Sequence, residues 1–139
     1  MQVVIGGAYN GKRKFVEEKL LRSTTATPHF FEGQMPEIGL FTKEDILIIG
    51  HFEKLILEHV HLDEDEIAEK IFNVLIELNK RAQVICICTD IGRGVVPLRK
   101  EERKLRDTCG RLYQKLFTDS ERVIRIWYGL PQMIKGEEL

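Results

Sequence analysis

The 139 residues carry a formal net charge of −1 with 31% of them charged, so nothing global attracts nucleic acid or an anionic membrane surface. A hydrophobic content of 43% suits one core, and residues 1–139 read as a single domain. No apolar run nears the roughly 20 residues that span a bilayer, and no charged-then-apolar leader opens the sequence, so cytoplasm is the expected location.

The first element is a strand at Gln2–Ile5 (QVVI), which runs straight into GGAYNGKR at Gly6–Arg13. Those eight letters follow the phosphate-loop pattern G-x-x-x-x-G-K-[ST] except at the last, and they sit where the pattern requires, between a strand and a helix. Glycines let successive backbone N–H groups turn toward phosphate oxygens. The expected phosphate-binding loop is therefore Gly6, Gly7, Ala8, Tyr9, Asn10, Gly11, Lys12 and Arg13, with Lys12 reaching the β and γ phosphates. The last letter carries the chemistry of the metal. A hydroxyl there would ligate Mg²⁺, whereas an arginine has no lone pair to give and repels a cation. Beside Lys12 and Lys14, Arg13 completes a basic triplet able to hold phosphate through a guanidinium fork. Phosphate binding is expected with Mg²⁺ binding weakened, and no metal ligand is assigned.

A helical pattern covers Arg13–Leu21, with Phe15, Leu20 and Leu21 among charges. Ser23–Thr42 is the least regular stretch, a loop with one short strand near His29–Phe31, and His29 reads as a partly buried loop residue. A strand follows at Asp45–Ile49. His51 stands just past it, on the sheet edge where open α/β sheets bind ligands, and is a candidate for contacting phosphate or accepting a nucleotidyl group. His59 and His61 are two apart and so do not share a helix face; with Asp63 they make a metal site only on an extended chain.

Glu64–Lys80 spaces Ile67, Ile71, Val74, Leu75 and Leu78 by three and four, with Asp63 as N-cap and acids in the first turn. The strand Val84–Cys88 puts Cys86 and Cys88 on one face as small hydrophobes, and no second ligand pair supports a metal reading. After it, Gly92 and Gly94 keep a loop open beside Arg93. A helix over about Leu98–Leu116 follows, its stripe formed by Leu105, Cys109, Leu112 and Leu116, with Lys100 and Lys104 on a solvated face. The final strand, Val123–Trp127, is followed by the interruption Gly129-Leu130-Pro131, which reads as a terminal hairpin or an edge strand. Alternating strands and helices predict a P-loop NTPase-like three-layer α/β domain with a mostly parallel central sheet and a C-terminal edge strand or hairpin.

On these motifs the chain resembles the bifunctional adenosylcobinamide kinase/adenosylcobinamide-phosphate guanylyltransferases of cobalamin biosynthesis. That family pairs a first-strand GGA-x-x-GK-S loop with a distal NE-x-G-x-G-x-VP run, followed by R, RD and G-R-x-N-Q. Here GGAYNGKR matches the first, TDIGRGVVP at Thr89–Pro97 the second, and Arg103, Arg106-Asp107, Gly110-Arg111 and Gln114 follow in order. The closing YGLPQMIK looks like the family's last glycine-bearing strand. The resemblance implies a single P-loop nucleotide-binding domain, trimeric assembly, GTP or ATP as the nucleotide and adenosylcobinamide as its second substrate. It implies phosphorylation of the aminopropanol hydroxyl and transfer of GMP through a histidine. It places Lys12 and the loop amides on the nucleotide phosphates and Asp90 where the family has its acid after the distal strand. Gly92, Arg93, Gly94, Pro97, Arg103, Arg106, Asp107, Arg111 and Gln114 make up the second motif.

Three departures bear on activity. Arg13 replaces the loop serine, Gly50 and His51 stand where the family carries a metal-holding acid, and the segment between Arg13 and Ile46 is short. No histidine is carried over by alignment. Lys12, Asp90 and His51 are the catalytic candidates, with Glu53 and Asp90 able to reach a metal only through water. Kinase chemistry depends chiefly on positioning and charge neutralisation, so the kinase step is the expected activity and guanylyltransfer the less expected one. The rival reading is a nucleotide- or phosphate-binding protein without catalysis, a regulator or assembly partner.

Overall fold

The computed structural model describes residues 1–8, 11–91 and 99–137. Tyr9, Asn10, Gly92, Arg93, Gly94 and Pro97 of the expected site lie outside the described residues.

The β-branched runs form the strands that their composition predicts. They are β1 (Gln2–Gly6), β3 (Asp45–Gly50), β4 (Gln83–Thr89) and β5 (Arg122–Trp127), joined by β2 (Thr27–Glu32) and β6 (Leu130–Lys135) in one sheet of order β2-β3-β4-β1-β5-β6. The first five run parallel, and β6 pairs antiparallel with β5. From Ile46 to Gly50 every residue of β3 is buried, as a parallel strand covered on both faces requires.

Helices cover both faces. Val3, Leu47, Ile49, Cys86 and Val123 pack under α2 (Phe52–Leu57), α3 (Glu64–Arg81) and α4 (Lys100–Asp119). On the opposite face Val4, Ile48, Ile85 and Ile124 meet Phe15, Val16 and Leu20 of α1 (Lys12–Phe15) and the π-helical turn Val16–Leu20 that continues it. In that turn the Leu21 N–H donates to Val16 O, five residues back.

Asp63 is the N-cap of α3, its carboxylate accepting from the Glu66 N–H at 2.8 Å. That bond draws the Asp63 carboxyl below its ordinary range. The carboxylate is thus committed to the cap, while the His59 and His61 rings lie 6.3 Å apart in the preceding turn. Among the described residues no group of three His, Cys, Asp or Glu is placed to hold a metal ion.

Four local expectations change. The short strand at His29–Phe31 is the six-residue parallel edge strand β2, where Pro28 is tolerated because one side of an edge strand has no partner to receive an N–H. His29 is therefore a strand residue, its Nε2 2.9 Å from Asp45 Oδ1 and its ring 4.9 Å from that of Phe41. Helix α2 adds an element between β3 and α3 that carries no sequence signal, since six residues with Phe52, Leu55 and Ile56 buried are too few to establish a helical period. Lys104 is not simply solvated: its Nζ donates to Val60 O at 2.7 Å and Leu62 O at 2.6 Å, satisfying carbonyls at the turn between α2 and α3.

The terminal hairpin turns one residue earlier than the Gly-Leu-Pro interruption suggests. Tyr128 (φ 48°) and Gly129 (φ 79°) are both left-handed, the two-residue turn that matches strand twist, while Leu130 and Pro131 open β6.

All three cysteines are buried, and burial pushes the Cys86 and Cys109 thiols up to about 12 and Cys88 well above its usual range. A thiol-disulfide reagent at pH 8 is expected to titrate none of the three rapidly in the native protein and all three in denaturant. Fast labelling of one native thiol would contradict this packing.

Candidate functional site

The C-terminal ends of the parallel strands bring the glycine loop, Glu32, His51 and Asp90 to one edge of the sheet. β1 lies between β4 and β5, with Gly6 opposite Thr89 on one side and Ile126 on the other. The loop thus emerges from the middle of the sheet, at the edge where open α/β sheets take ligands.

Two interactions shape the loop base. The Asp90 N–H donates to Gly6 O at 2.9 Å, tying the end of β4 to the end of β1. Lys12 folds back over the loop, its Nζ donating to Gly6 O at 3.0 Å and Gly7 O at 2.8 Å. The side chain is buried. Burial draws the Lys12 pKa below its usual range, and the nearby Glu53 carboxylate works against that fall, as do Cys88 and Asp90 more weakly. Gly11, with φ 85°, makes the left-handed step that starts α1, a conformation glycine adopts without strain.

In front of the loop lies a pocket of about 350 Å³ bounded by Gly11, the triplet Lys12, Arg13 and Lys14, and the polar side chains of Glu32, His51 and Glu53. Its cations come from one short helix and its carboxylates from elsewhere in the chain. Arg13 is held in place: Nε donates to Glu17 at 2.9 Å, Nη1 to Glu32 at 3.3 Å, and the guanidinium lies 4.2 Å from the centre of the Phe30 ring. Each pair is half-exposed and individually worth little, yet together they fix the direction of the fork. Glu53 Oε1 is buried without a hydrogen-bond partner among the described residues, leaving an acceptor at the pocket wall. His51 has φ 59° at the N-cap of α2 and is exposed, so a strained backbone presents its ring at the pocket rim.

This donor set does not fit a Mg²⁺ ion held directly by the loop. The place of the hydroxyl is taken by a guanidinium, and the Glu17 and Glu32 carboxylates beside it are already paired with that guanidinium.

The distal motif divides. Asp90 is beside the loop, and Lys12 senses its charge. Arg103, Arg106, Asp107, Arg111 and Gln114 all lie on α4. Arg111 Nη1 donates to Asp65 of α3 at 2.7 Å, which holds its pKa above the usual range, and Gln114 lies with it in a groove between α3 and α4 that shares no residue with the pocket in front of the glycine loop. Glu32 carries no sequence signal, since it ends a strand whose extent the prolines obscure; Thr89, the first residue of the distal motif, becomes a pocket wall through the register of β4 with β1.

The family described as cobinamide kinase / cobinamide phosphate guanyltransferase matches residues 40–134, from just before β3 through nearly all of β6. The bifunctional adenosylcobalamin biosynthesis protein CobP of Pseudomonas aeruginosa is 39% identical over 57 residues, which cover 41% of this chain and 33% of that protein. The matched stretch therefore spans about a third of the relative's length.

Proposed function

The chain belongs to the cobinamide kinase / cobinamide phosphate guanyltransferase family, and from that premise we propose that it binds the phosphates of GTP or ATP in the pocket before Lys12 and phosphorylates adenosylcobinamide in cobalamin biosynthesis. The observation that carries this reading is the buried Lys12 ammonium held over Gly6 O and Gly7 O beside a fixed Arg13, at the ligand edge of a parallel sheet.

In this reading the nucleotide's terminal phosphates replace the loop carbonyls as partners of Lys12. Arg13 exchanges Glu32 for a phosphate oxygen and supplies charge that a metal would otherwise bring. The hydroxyl oxygen of the aminopropanol arm attacks the γ-phosphorus, the bond to the bridging oxygen breaks, and the nucleoside diphosphate leaves. The Glu53 carboxylate, whose Oε1 is without a hydrogen-bond partner among the described residues at the wall of that pocket, takes the hydroxyl proton. His51 at the pocket rim contacts the transferred group. Guanylyltransfer is the weaker part of the proposal, since it needs a nucleophilic histidine and His51 is the single histidine lining this pocket among the described residues.

The direct test is incubation of the protein with adenosylcobinamide and either GTP or ATP, at enzyme concentrations comparable to substrate, followed by chromatographic detection of adenosylcobinamide phosphate. Absence of that product with both nucleotides sinks the catalytic reading. If calorimetry nonetheless records nucleotide binding, a binding role remains.

Arg13→Ser restores the hydroxyl. Without metal it is expected to bind tripolyphosphate about tenfold more weakly than the unaltered chain, the worth of one charge-assisted hydrogen bond. Added Mg²⁺ should recover affinity in the variant and change it little in the unaltered protein. Equal Mg²⁺ dependence of the two by calorimetry would mean that Arg13 does not stand in for the metal.

A further inference from the structure

On the other side of the loop from the triplet lies a second groove, of about 460 Å³, that shares no lining residue with the pocket before Lys12. One wall is the loop base, with Gly6, Gly7 and Asp90; the other is the β5–β6 hairpin, with Arg125, Trp127 and Tyr128. We propose that this groove takes the purine ring of the nucleotide whose phosphates lie in the loop, with Trp127 and Tyr128 as its stacking surface. The inference rests on the phosphate-site reading above.

Three observations carry it. The groove adjoins the loop: Gly6 and Gly7 form part of its wall, and Gly129 of the hairpin turn lies against Gly11, its Cα 3.6 Å from where a Cβ would stand there. A ligand anchored by phosphate at Lys12 has this space beside it.

The aromatic surface is also already organised as a platform. Trp127 is 54% and Tyr128 80% exposed, their ring centres are 6.4 Å apart at 35°, and the Arg125 guanidinium lies 4.8 Å from the centre of the Trp127 ring. Two exposed rings inclined to one another, with a cation against one of them, suit a planar, electron-rich heterocycle, for which stacking is tolerant of base identity.

Finally, Tyr128 occupies a place in the turn that disfavours it. A two-residue turn with both φ values positive prefers Asn or Asp before Gly, and a bulky aromatic there is strained. An exposed aromatic kept at a strained position has no packing explanation, whereas a ligand contact gives one.

Trp127 is the only tryptophan of the chain, so intrinsic fluorescence reports this groove alone. The experiment titrates the full chain and its Trp127→Ala and Tyr128→Asn variants with GTP, ATP and inorganic tripolyphosphate, following heat and fluorescence. The expected result is that both nucleotides bind roughly tenfold or more tightly than tripolyphosphate and quench Trp127, while tripolyphosphate binds without quenching. Trp127→Ala brings nucleotide affinity down to that of tripolyphosphate and leaves tripolyphosphate affinity unchanged. Tyr128→Asn weakens nucleotide binding while raising the melting temperature, which separates loss of contact from loss of fold. Nucleotides no tighter than tripolyphosphate, or undiminished nucleotide affinity in Trp127→Ala, would overturn the base site alone. Binding of neither nucleotide nor tripolyphosphate would overturn both this inference and the phosphate-site reading beneath it.

Discussion

Gly6→Ala is expected to destabilise the protein by about 3 kcal/mol, the range of an overpacked site whose neighbours cannot relax. A Cβ at position 6 would stand 2.5 Å from Ile126 O, and that oxygen belongs to the backbone of β5 rather than to a movable side chain. Gly6 pairs at the same time with Thr89 of β4, so β1 has no direction in which to retreat. The same Cβ would stand 3.5 Å from Lys12 Cδ, an ordinary van der Waals contact, so the cost falls on the backbone of β5 and not on the lysine. Gly110→Ala is the control. Gly110 is inside α4 and an added Cβ meets nothing within 4 Å, so alanine there should stabilise by roughly 0.5–1 kcal/mol through helix propensity. Urea unfolding of the two variants checks both signs. A Gly6→Ala protein with an unchanged midpoint would contradict the close approach of β1 and β5.

That contrast also shows what a sequence makes legible. Long periodic elements such as α3 and α4, and β-branched runs such as DILII and VICIC, announce themselves because each buries a regular face. The glycine loop and its basic triplet are equally plain, since their residues are contiguous and their spacing carries the chemistry. Short elements do not announce themselves: α2 has one turn and a half, and β2 contains a proline that only an edge position tolerates. The pocket's carboxylates are the least legible part. Glu32 and Glu53 reach Arg13 and Lys12 because the sheet order places the ends of β2 and β3 on the loop's side, a fact of topology rather than of local pattern. The arginines of the distal motif illustrate the converse. Their order along the chain is unmistakable, yet Arg111 is spent on Asp65 of the neighbouring helix.

Lys12→Met is expected to lower tripolyphosphate affinity by about 3 kcal/mol, roughly 100-fold, because it removes the buried cation facing the loop at the upper end of what a charged hydrogen bond contributes. Methionine keeps the apolar stem and so separates charge from packing. Fold stability should change little, since a desolvated ammonium is lost together with its two carbonyl bonds. The pH dependence has a definite sign. Burial lowers the Lys12 pKa from 10.5, so on raising pH the free protein loses this proton before an ordinary lysine would. Phosphate binds the ammonium form, so binding then requires proton uptake, and affinity should fall on the alkaline side below pH 10.5. Glu53→Gln removes the carboxylate that most opposes this lowering, and should move the fall to lower pH. In Lys12→Met the limb should vanish. Calorimetric titration of all three proteins with tripolyphosphate between about pH 7 and 10 measures each of these. An alkaline limb that persists unchanged in Lys12→Met would assign it to another group and remove Lys12 from the centre of the site.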